Sequence, residues 1–396
     1  MSLSTDTIVG VVGAGAMGTG IAQVAAAAGH RVVLGDAVRG ATQKAQASIA
    51  KAMDREVQKE RMSRDAADEL MSRIDYQWEP LGDDLSAYGR CGLVIEAIVE
   101  DLDVKQALFR RLERAVARDA VLATNTSSLS VASIASSCDV PERVIGIHFF
   151  NPPPLMPLVE VVPWLGADPA LAPAAYAMMA RWRKAPVLAS DTPGFIVNRV
   201  ARPFYGESLR LLDEGFADIA TIDWAMKEHG GFRMGPFELM DFIGNDVNYA
   251  VTRSVFEAMF YDPRYKPSLT QRRLVESRFY GRKSGRGYYD YREGAVRPEP
   301  KRDDAIARRI VERVRAMLIN EAIDAVHMQI ASPEDIDLAM TKGVNYPKGL
   351  LAWANELGLE PILGTLEALQ AEYGEDRYRP SPLLRRMIRE KRRFFA

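Results

Sequence analysis

The stretch Thr7-Ile-Val-Gly-Val-Val-Gly-Ala-Gly-Ala-Met-Gly18 decides the architecture of the first half of the chain. Thr7 to Val12 is an apolar, β-branched run, Gly13, Gly15 and Gly18 follow in G-x-G-x-x-G spacing, and the small-residue run Thr19 to Ala28 reads as a helix. The order is strand, glycine turn, helix. Gly13 permits the tight turn, and Gly15, with Ala16 and Met17 beside it, lets the backbone approach a pyrophosphate. Gly18 lets helix and strand pack closely while the helix N-terminus faces the phosphates. Gly29 closes the helix, and the next strand, Arg31 to Leu34, runs to Asp36, where an acid accepts the ribose 2′-hydroxyl. That acid favours NAD over NADP; Arg39 is the one nearby residue suited to a 2′-phosphate.

Working outward, Gly92 to Ile98, Ala120 to Thr124, Val144 to Phe149 and Leu158 to Val162 read as buried strands alternating with helices, which predicts a doubly wound sheet. Ser48 to Ile74 reads as a charged helical pair inserted after the second strand. Ligands of such sheets bind beyond the carboxyl ends of the strands, and polar residues gather there: Glu96 and Glu100, Asn125 to Ser128, and His148 with Asn151. Any single Ser or Asn among them also suits a cap or turn. His148 sits among Ile147, Phe149 and Phe150, a setting that suits a core histidine. Its strand-end place and Glu160 on the adjacent strand instead suggest a proton-transfer pair, the carboxylate fixing the imidazole tautomer.

After Asp191 the pattern turns helical, and Val197 to Met226 is echoed by Val311 to Met340 at a constant offset. Ile196 pairs with Ile310, Arg199 with Arg313, Glu207 with Glu321 and Asp223 with Asp337. A shorter echo sets Arg264-Tyr-Lys-Pro-Ser against Arg377-Tyr-Arg-Pro-Ser. The expected fold class is an α/β Rossmann-type doubly wound sheet domain followed by two tandem all-α domains. The boundaries are 1–188, 189–293, a Pro-rich charged linker 294–304, and 305–396. Asn198 becomes Glu312 in the second copy, and Gly281 to Tyr291, which carries Lys283, has no counterpart there. The second copy therefore reads as structural.

Composition narrows the classes further. Lys and Arg total 51 against 53 Asp and Glu, giving no reason to expect a nucleic-acid partner, and a polyanionic cofactor needs local charge. Cys91 and Cys138 lack the spacing of a disulfide framework or a zinc site, so no metal is expected. The beginning of the chain lacks signal-peptide features, and no apolar run reaches the roughly 18 residues of a spanning helix. The expectation is a cytoplasmic protein without membrane association. The basic run Arg385 to Arg393 reads as a solvated helix face.

These motifs, with E-A-I-V-E at Glu96 to Glu100, N-T-S-S-L at Asn125 to Leu129, H-F-F-N-P at His148 to Pro152 and D-T-P-G-F-I-V-N-R at Asp191 to Arg199, resemble those of the L-3-hydroxyacyl-CoA dehydrogenase family. The resemblance implies NAD-dependent oxidation of a (S)-3-hydroxyacyl-CoA to the 3-oxoacyl-CoA. His148 would take the hydroxyl proton, Glu160 would orient that histidine, and Ser127 and Asn198 would position the substrate. It also implies NAD contacts from Asp36, Glu100, Lys105, Ser127, Asn151 and Lys283. Ser48 matches a CoA-binding serine, and Arg55 stands where the family has a CoA-binding lysine. The two helical copies and Gly343-Val-Asn-Tyr-Pro-Lys-Gly349 resemble the branch acting on 3-hydroxyadipyl-CoA, with 3-hydroxybutyryl-CoA as the alternative acyl group. Single-copy relatives pair their helical domains about a two-fold axis, so the second copy would take the partner's place within one chain, which makes a monomer possible, with a homodimer as the alternative. The competing readings are a related dehydrogenase using a catalytic lysine and a non-catalytic dinucleotide-binding protein.

Overall fold

The computed structural model describes residues 3–395, and the chain divides into two compact units, one ending at Phe195 and one beginning at Ile196. In the first, β1 (Val9–Val12), α1 (Ala16–Ala27), β2 (Val32–Gly35), α2 (Ala41–Gln58), α3 (Arg64–Ser72), β3 (Ile74–Tyr76), β4 (Leu93–Glu96) and α4 (Leu102–Ala115) are followed by β5 (Val121–Thr124), α5 (Val131–Ala135), β6 (Val144–Phe149), β7 (Leu158–Val162), α6 (Leu171–Arg181) and β8 (Ala185–Leu188). They form one sheet in the order β3-β2-β1-β4-β5-β6-β7-β8. Strands β1 to β6 pair in parallel, and β7 runs antiparallel to β6. The order 3-2-1-4-5-6 is that of a doubly wound dinucleotide-binding sheet.

The central strands are buried along their whole length, which is why they read as unbroken apolar runs rather than alternating ones. Two strands escape a reading of the sequence. β3 is only Ile-Asp-Tyr, and β8 carries Pro186, whose missing N–H is tolerated because β8 lies at the sheet edge. The helices α2 and α3 form the charged pair expected after β2, and an amphipathic face of Ala45, Ile49, Met53, Ala67 and Leu70 seats them on the core.

The second unit is helical. It runs through α7 (Val197–Val200), α8 (Arg202–Asp213), α9 (Ile219–Glu228), α10 (Pro236–Ile243), α11 (Asn245–Ala258), α12 (Leu269–Glu276) and α13 (Asp304–His327), then α14 (Pro333–Gly343), α15 (Leu350–Leu357), α16 (Leu359–Tyr373) and α17 (Pro382–Glu390). Asp303 caps α13 by accepting from the Ala305 and Ile306 N–H groups. From Ala316 to Ala325 every residue of α13 is buried, so this helix is surrounded on all sides, by α8 and α9 of the first copy and α15, α16 and α17 of the second. The two copies thus share one core.

Their shared core is organised by two reciprocal clusters. Glu321 accepts from Arg199 at 2.7 Å, Tyr265 at 2.5 Å and Arg264 at 3.5 Å. Glu207, its repeat partner, accepts from Arg313 at 3.1 Å, Tyr378 at 3.1 Å and Arg377 at 3.2 Å. Each carboxylate is buried and receives its donors largely from the other copy, the signature of an isologous two-fold contact. The repeat extends to helix capping. Asp223 accepts from the Phe237 and Glu238 N–H groups, and Asp337 from those of Leu351 and Ala352. A Cβ on Gly235 or Gly349 would come within 2.3 or 2.2 Å of these carboxylates, so both turns require glycine.

Glu321→Ala leaves Arg199 and Arg264 with Asp324 as their one remaining carboxylate and is expected to destabilise the second unit by about 3 kcal/mol, the lower end for a broken buried pair; Glu207→Ala, which leaves Arg313 with Glu214, should act similarly. Urea unfolding of the full chain checks this; a loss below about 1 kcal/mol, the range of an exposed pair, would show that the clusters do not anchor the unit.

Candidate active site

At the carboxyl end of β1 the backbone turns at Gly13, whose φ of +105° and whose Cβ position 2.4 Å from the Ala97 carbonyl both demand glycine. Gly18 packs against the same turn: a Cβ there would sit 1.7 Å from the Gly13 oxygen. Gly15 is exposed and has nothing within 4 Å of a Cβ position, so the space above it is open to a ligand. It is also the N-cap of α1 and offers no capping side chain, which leaves the N–H groups of the first turn, including those of Met17 and Gly18, for an anion; Ala16 is exposed beside it. Asp36, just past β2, accepts from the Ala14 N–H at 2.6 Å and the Val38 N–H at 2.7 Å, which fixes its carboxylate beside the glycine turn. Each oxygen keeps a lone pair for a ribose hydroxyl. Arg39 is exposed and lies 3.8 Å from Glu79. This cradle fits the pyrophosphate and adenosine ribose of NAD.

A second polar cluster joins the ends of β4 and β5. Glu96, fully buried, accepts from Lys105 at 2.6 Å, Thr124 at 2.7 Å and the Ile98 N–H at 2.8 Å. Glu100 accepts from the Thr126 hydroxyl at 2.6 Å and from the Ser127 and Ser128 N–H groups at 2.9 and 3.1 Å, with Lys105 at 3.1 Å. Burial works against its charge, but the Lys105 ammonium and these donors prevail and hold the carboxyl down to about 2. Glu100 therefore stays ionised from its ordinary value of 4.5 upward, and the ordering of 126–128 is lost only as pH falls from there toward 2. Lys105, expected to touch NAD, has 1% of its side chain exposed and is enclosed by two carboxylates. Through Glu100, whose carboxylate accepts from the Ser127 and Ser128 N–H groups, its ammonium is linked to the Ser127 loop.

Strand β6 carries His148 and strand β7 carries Glu160, directly opposite each other in the antiparallel register. Opposed side chains on one face of a sheet lie about 5 Å apart at Cβ, so the register alone brings the pair together. His148 Nδ1 is 2.7 Å from Glu160 Oε2, with both residues buried. A carboxylate only accepts, so Nδ1 carries the proton and Nε2 the lone pair in the neutral ring. Phe150 and Phe195 pack on the imidazole at 4.6 and 5.9 Å between ring centroids. Asn125 ties this strand end to the Ser127 loop by accepting from the Phe149 N–H at 2.8 Å. Asn151 is exposed just beyond it.

The remaining expected residues are dispersed. Ser48 and Arg55 lie on one exposed face of α2, and Lys44 and Lys51 share that face at helical spacing. The two lysines were not singled out in the sequence, although i, i+4, i+7, i+11 spacing of Lys44, Ser48, Lys51 and Arg55 is visible there. In the second unit, Asn198 is half-buried on α7, and Lys283, half-exposed in the turn 282–284, is 2.7 Å from Asp246. The described residues contain no cluster of metal-ligating side chains and no helix long and apolar enough to cross a membrane.

Comparison with known proteins gives this arrangement a family. Residues 8–192 match the model of the 3-hydroxyacyl-CoA dehydrogenase NAD binding domain. The model of the 3-hydroxyacyl-CoA dehydrogenase C-terminal domain matches twice, over 194–291 and 310–393. The chain is 38% identical to a 3-hydroxyadipyl-CoA dehydrogenase of Escherichia coli over 97% of this chain and 98% of that one. It is 39% identical to a 3-hydroxybutyryl-CoA dehydrogenase of Bradyrhizobium diazoefficiens over 74% of this chain and 98% of that one. A crystal structure described as 3-hydroxybutyryl-CoA dehydrogenase from Escherichia coli superimposes with a TM-score of 0.90 at 37% identity, covering 98% of this chain and 99% of that one. The chain belongs to the 3-hydroxyacyl-CoA dehydrogenase family, as an NAD-binding domain followed by two copies of the family's C-terminal domain.

Proposed function

We propose that the protein oxidises (S)-3-hydroxyacyl-CoA thioesters through His148 acting on the substrate hydroxyl, with NAD as hydride acceptor. The chain is an NAD-dependent dehydrogenase of this family; the residue roles are what the geometry supports. The carrying observation is the buried His148–Glu160 contact, which leaves the Nε2 lone pair as the base. As that nitrogen takes the proton, the imidazolium forms beside an ionised carboxylate in a low-dielectric pocket, where the attraction is strong. Bound NAD supplies the acceptor carbon for the hydride. Gly13 to Gly18 and Asp36 hold the pyrophosphate and ribose, while Glu100, Asn151 and Lys283 keep the NAD-contact role that the family resemblance gives them. Ser127, held through Glu100, and Asn198 position the substrate oxygens.

The exposed α2 face carrying Ser48 and Arg55, extended by Lys44 and Lys51, is suited to the phosphates of CoA. Arginine keeps the charge of the expected lysine, with a planar fork in place of a point charge. For the acyl group we favour the dicarboxylic 3-hydroxyadipyl-CoA, the substrate in the name of a relative 38% identical across almost the whole chain. The alternative, 3-hydroxybutyryl-CoA, is in the name of the Bradyrhizobium diazoefficiens relative and of the Escherichia coli structure that covers 98% of the chain. We place the protein in the cytoplasm, where its two buried free cysteines stay reduced.

The reciprocal Glu207 and Glu321 clusters also support a chain that supplies its own helical partner and is a monomer. Light scattering is expected to give the mass of one chain, 43.9 kDa; a stable dimer would sink this reading. For the catalytic pair, His148→Gln should lower turnover about 10²–10⁴-fold, the usual worth of a general base, with NADH affinity by fluorescence titration nearly intact. Glu160→Gln keeps the contact but not its charge and should also lower kcat. Near-normal turnover in the His148 variant would remove it from the mechanism.

A further inference from the structure

Five arginines of the second unit are buried, and four of them meet carboxylates. Arg199 and Arg264 face Glu321 and Asp324, while Arg313 and Arg377 face Glu207. Arg202 is the exception. It is 6% exposed, its Nη1 donates to Thr252 Oγ1 at 3.1 Å, and its guanidinium stands 4.9 Å from the Tyr205 ring centroid. No carboxylate lies within ion-pair distance of it among the described residues, and its Nε is buried without a hydrogen-bond partner. Burial pushes the guanidinium down from its ordinary value, and the groups that oppose this are only the phenols of Tyr205 and Tyr346. An arginine does not shed its proton in a protein. A buried charge without a counter-charge is costly, so such a site is completed when an anion arrives.

The place of Arg202 says which end of a ligand that anion belongs to. Ala201 keeps the helical conformation that joins α7 to α8, so Asn198 and Arg202 are one turn apart on the same face. Such i, i+4 pairs stand about 5–6 Å apart at Cβ, comparable with the span from the thioester carbon to the far carboxyl of a six-carbon acyl group. The repeat separates this pair from the scaffold. Arg199 and Arg264 recur as Arg313 and Arg377, whereas Asn198 and Arg202 are replaced by Glu312 and Ala316. The Tyr346 hydroxyl, also buried and unpartnered, stands by the same guanidinium. Tyr346 comes from the Gly343–Gly349 stretch of the second copy and lines a cavity of about 470 Å³ together with Phe204 and Phe232.

We propose that Arg202, assisted by the Tyr346 hydroxyl, is the specificity-determining cation that receives the far carboxylate of a dicarboxylic acyl-CoA. This rests on the reading that Asn198 holds the thioester end. It also gives the second copy a part in substrate choice, through Tyr346, that its lack of Asn198 does not suggest.

Two measurements on the full chain test it. In equilibrium titrations of the wild-type protein with NAD bound, adipyl-CoA should bind at least about tenfold more tightly than hexanoyl-CoA, which has the same number of acyl carbons and no far carboxylate; equal binding overturns the proposal. In NADH-dependent reduction, the ratio of kcat/KM for 3-oxoadipyl-CoA to that for acetoacetyl-CoA should fall about 100-fold in Arg202→Gln. It should recover in part in Arg202→Lys and fall by a smaller factor in Tyr346→Phe, whose shape is kept. A loss of the same factor on both substrates in every variant makes Arg202 a packing residue and overturns the proposal. Failure of the wild type to reduce either substrate, with adipyl-CoA still preferred in binding, would leave the carboxylate site standing and count against the proposed reaction instead.

Discussion

The antiparallel pairing of β7 against β6 is the constraint around which the catalytic half of this protein is arranged. Six parallel strands bring polar residues to one end of the sheet, but a parallel ladder alone does not set a strand-end histidine against a carboxylate. Reversing the chain through Asn151 to Pro157 does so, because residues opposed in an antiparallel ladder share a face and a height. His148 and Glu160 are then held by backbone hydrogen bonds, at 2.7 Å, without depending on side-chain flexibility. The tautomer follows from the carboxylate's inability to donate. The neighbouring Glu96–Lys105–Glu100 network performs the same service for the Ser127 loop, joining one buried carboxylate, one buried ammonium and one partly exposed carboxylate into a single support.

The helical half solves a different problem. A helical copy with an apolar face needs a partner, and here the partner lies in the same chain. Glu207 and Glu321 each gather two guanidinium groups and a phenol, mostly from the opposite copy, so the contact is specified in charge as well as in shape. Once duplicated, the copies were free to differ where no scaffold contact is at stake. Asn198 and Arg202 against Glu312 and Ala316 are such positions, and Arg202 is also the buried arginine that the scaffold leaves without a carboxylate.

Much of this was legible in the sequence because each signal had one physical reading. Gly13, Gly15 and Gly18 announced a turn, an open cradle and a close packing contact, and the structure assigns each glycine that property separately. The repeat was legible as a fixed offset, and the same offset relates Asp223 with its helix cap to Asp337 with its own. What was not legible depends on contacts between distant residues. β3 and β8 are too short or too proline-bearing to be seen as strands, and Lys105 looks like a surface lysine until its two carboxylates are in place. The shared core of the two copies is hidden by the Pro-rich segment 294–304, which separates them along the chain but not in space. Arg202 is likewise ordinary in sequence, since only burial reveals a charge without a partner.

The role proposed for His148 is to meet the substrate oxygen through Nε2 while Glu160 holds Nδ1. A crystal structure of the protein with NAD and acetoacetyl-CoA tests it most directly. The 3-oxygen is expected within hydrogen-bond reach of Nε2, about 2.6–3.2 Å, with the Nδ1 contact to Glu160 retained. A 3-oxygen bound elsewhere, or a His148 ring turned so that Nδ1 leaves Glu160, would contradict it.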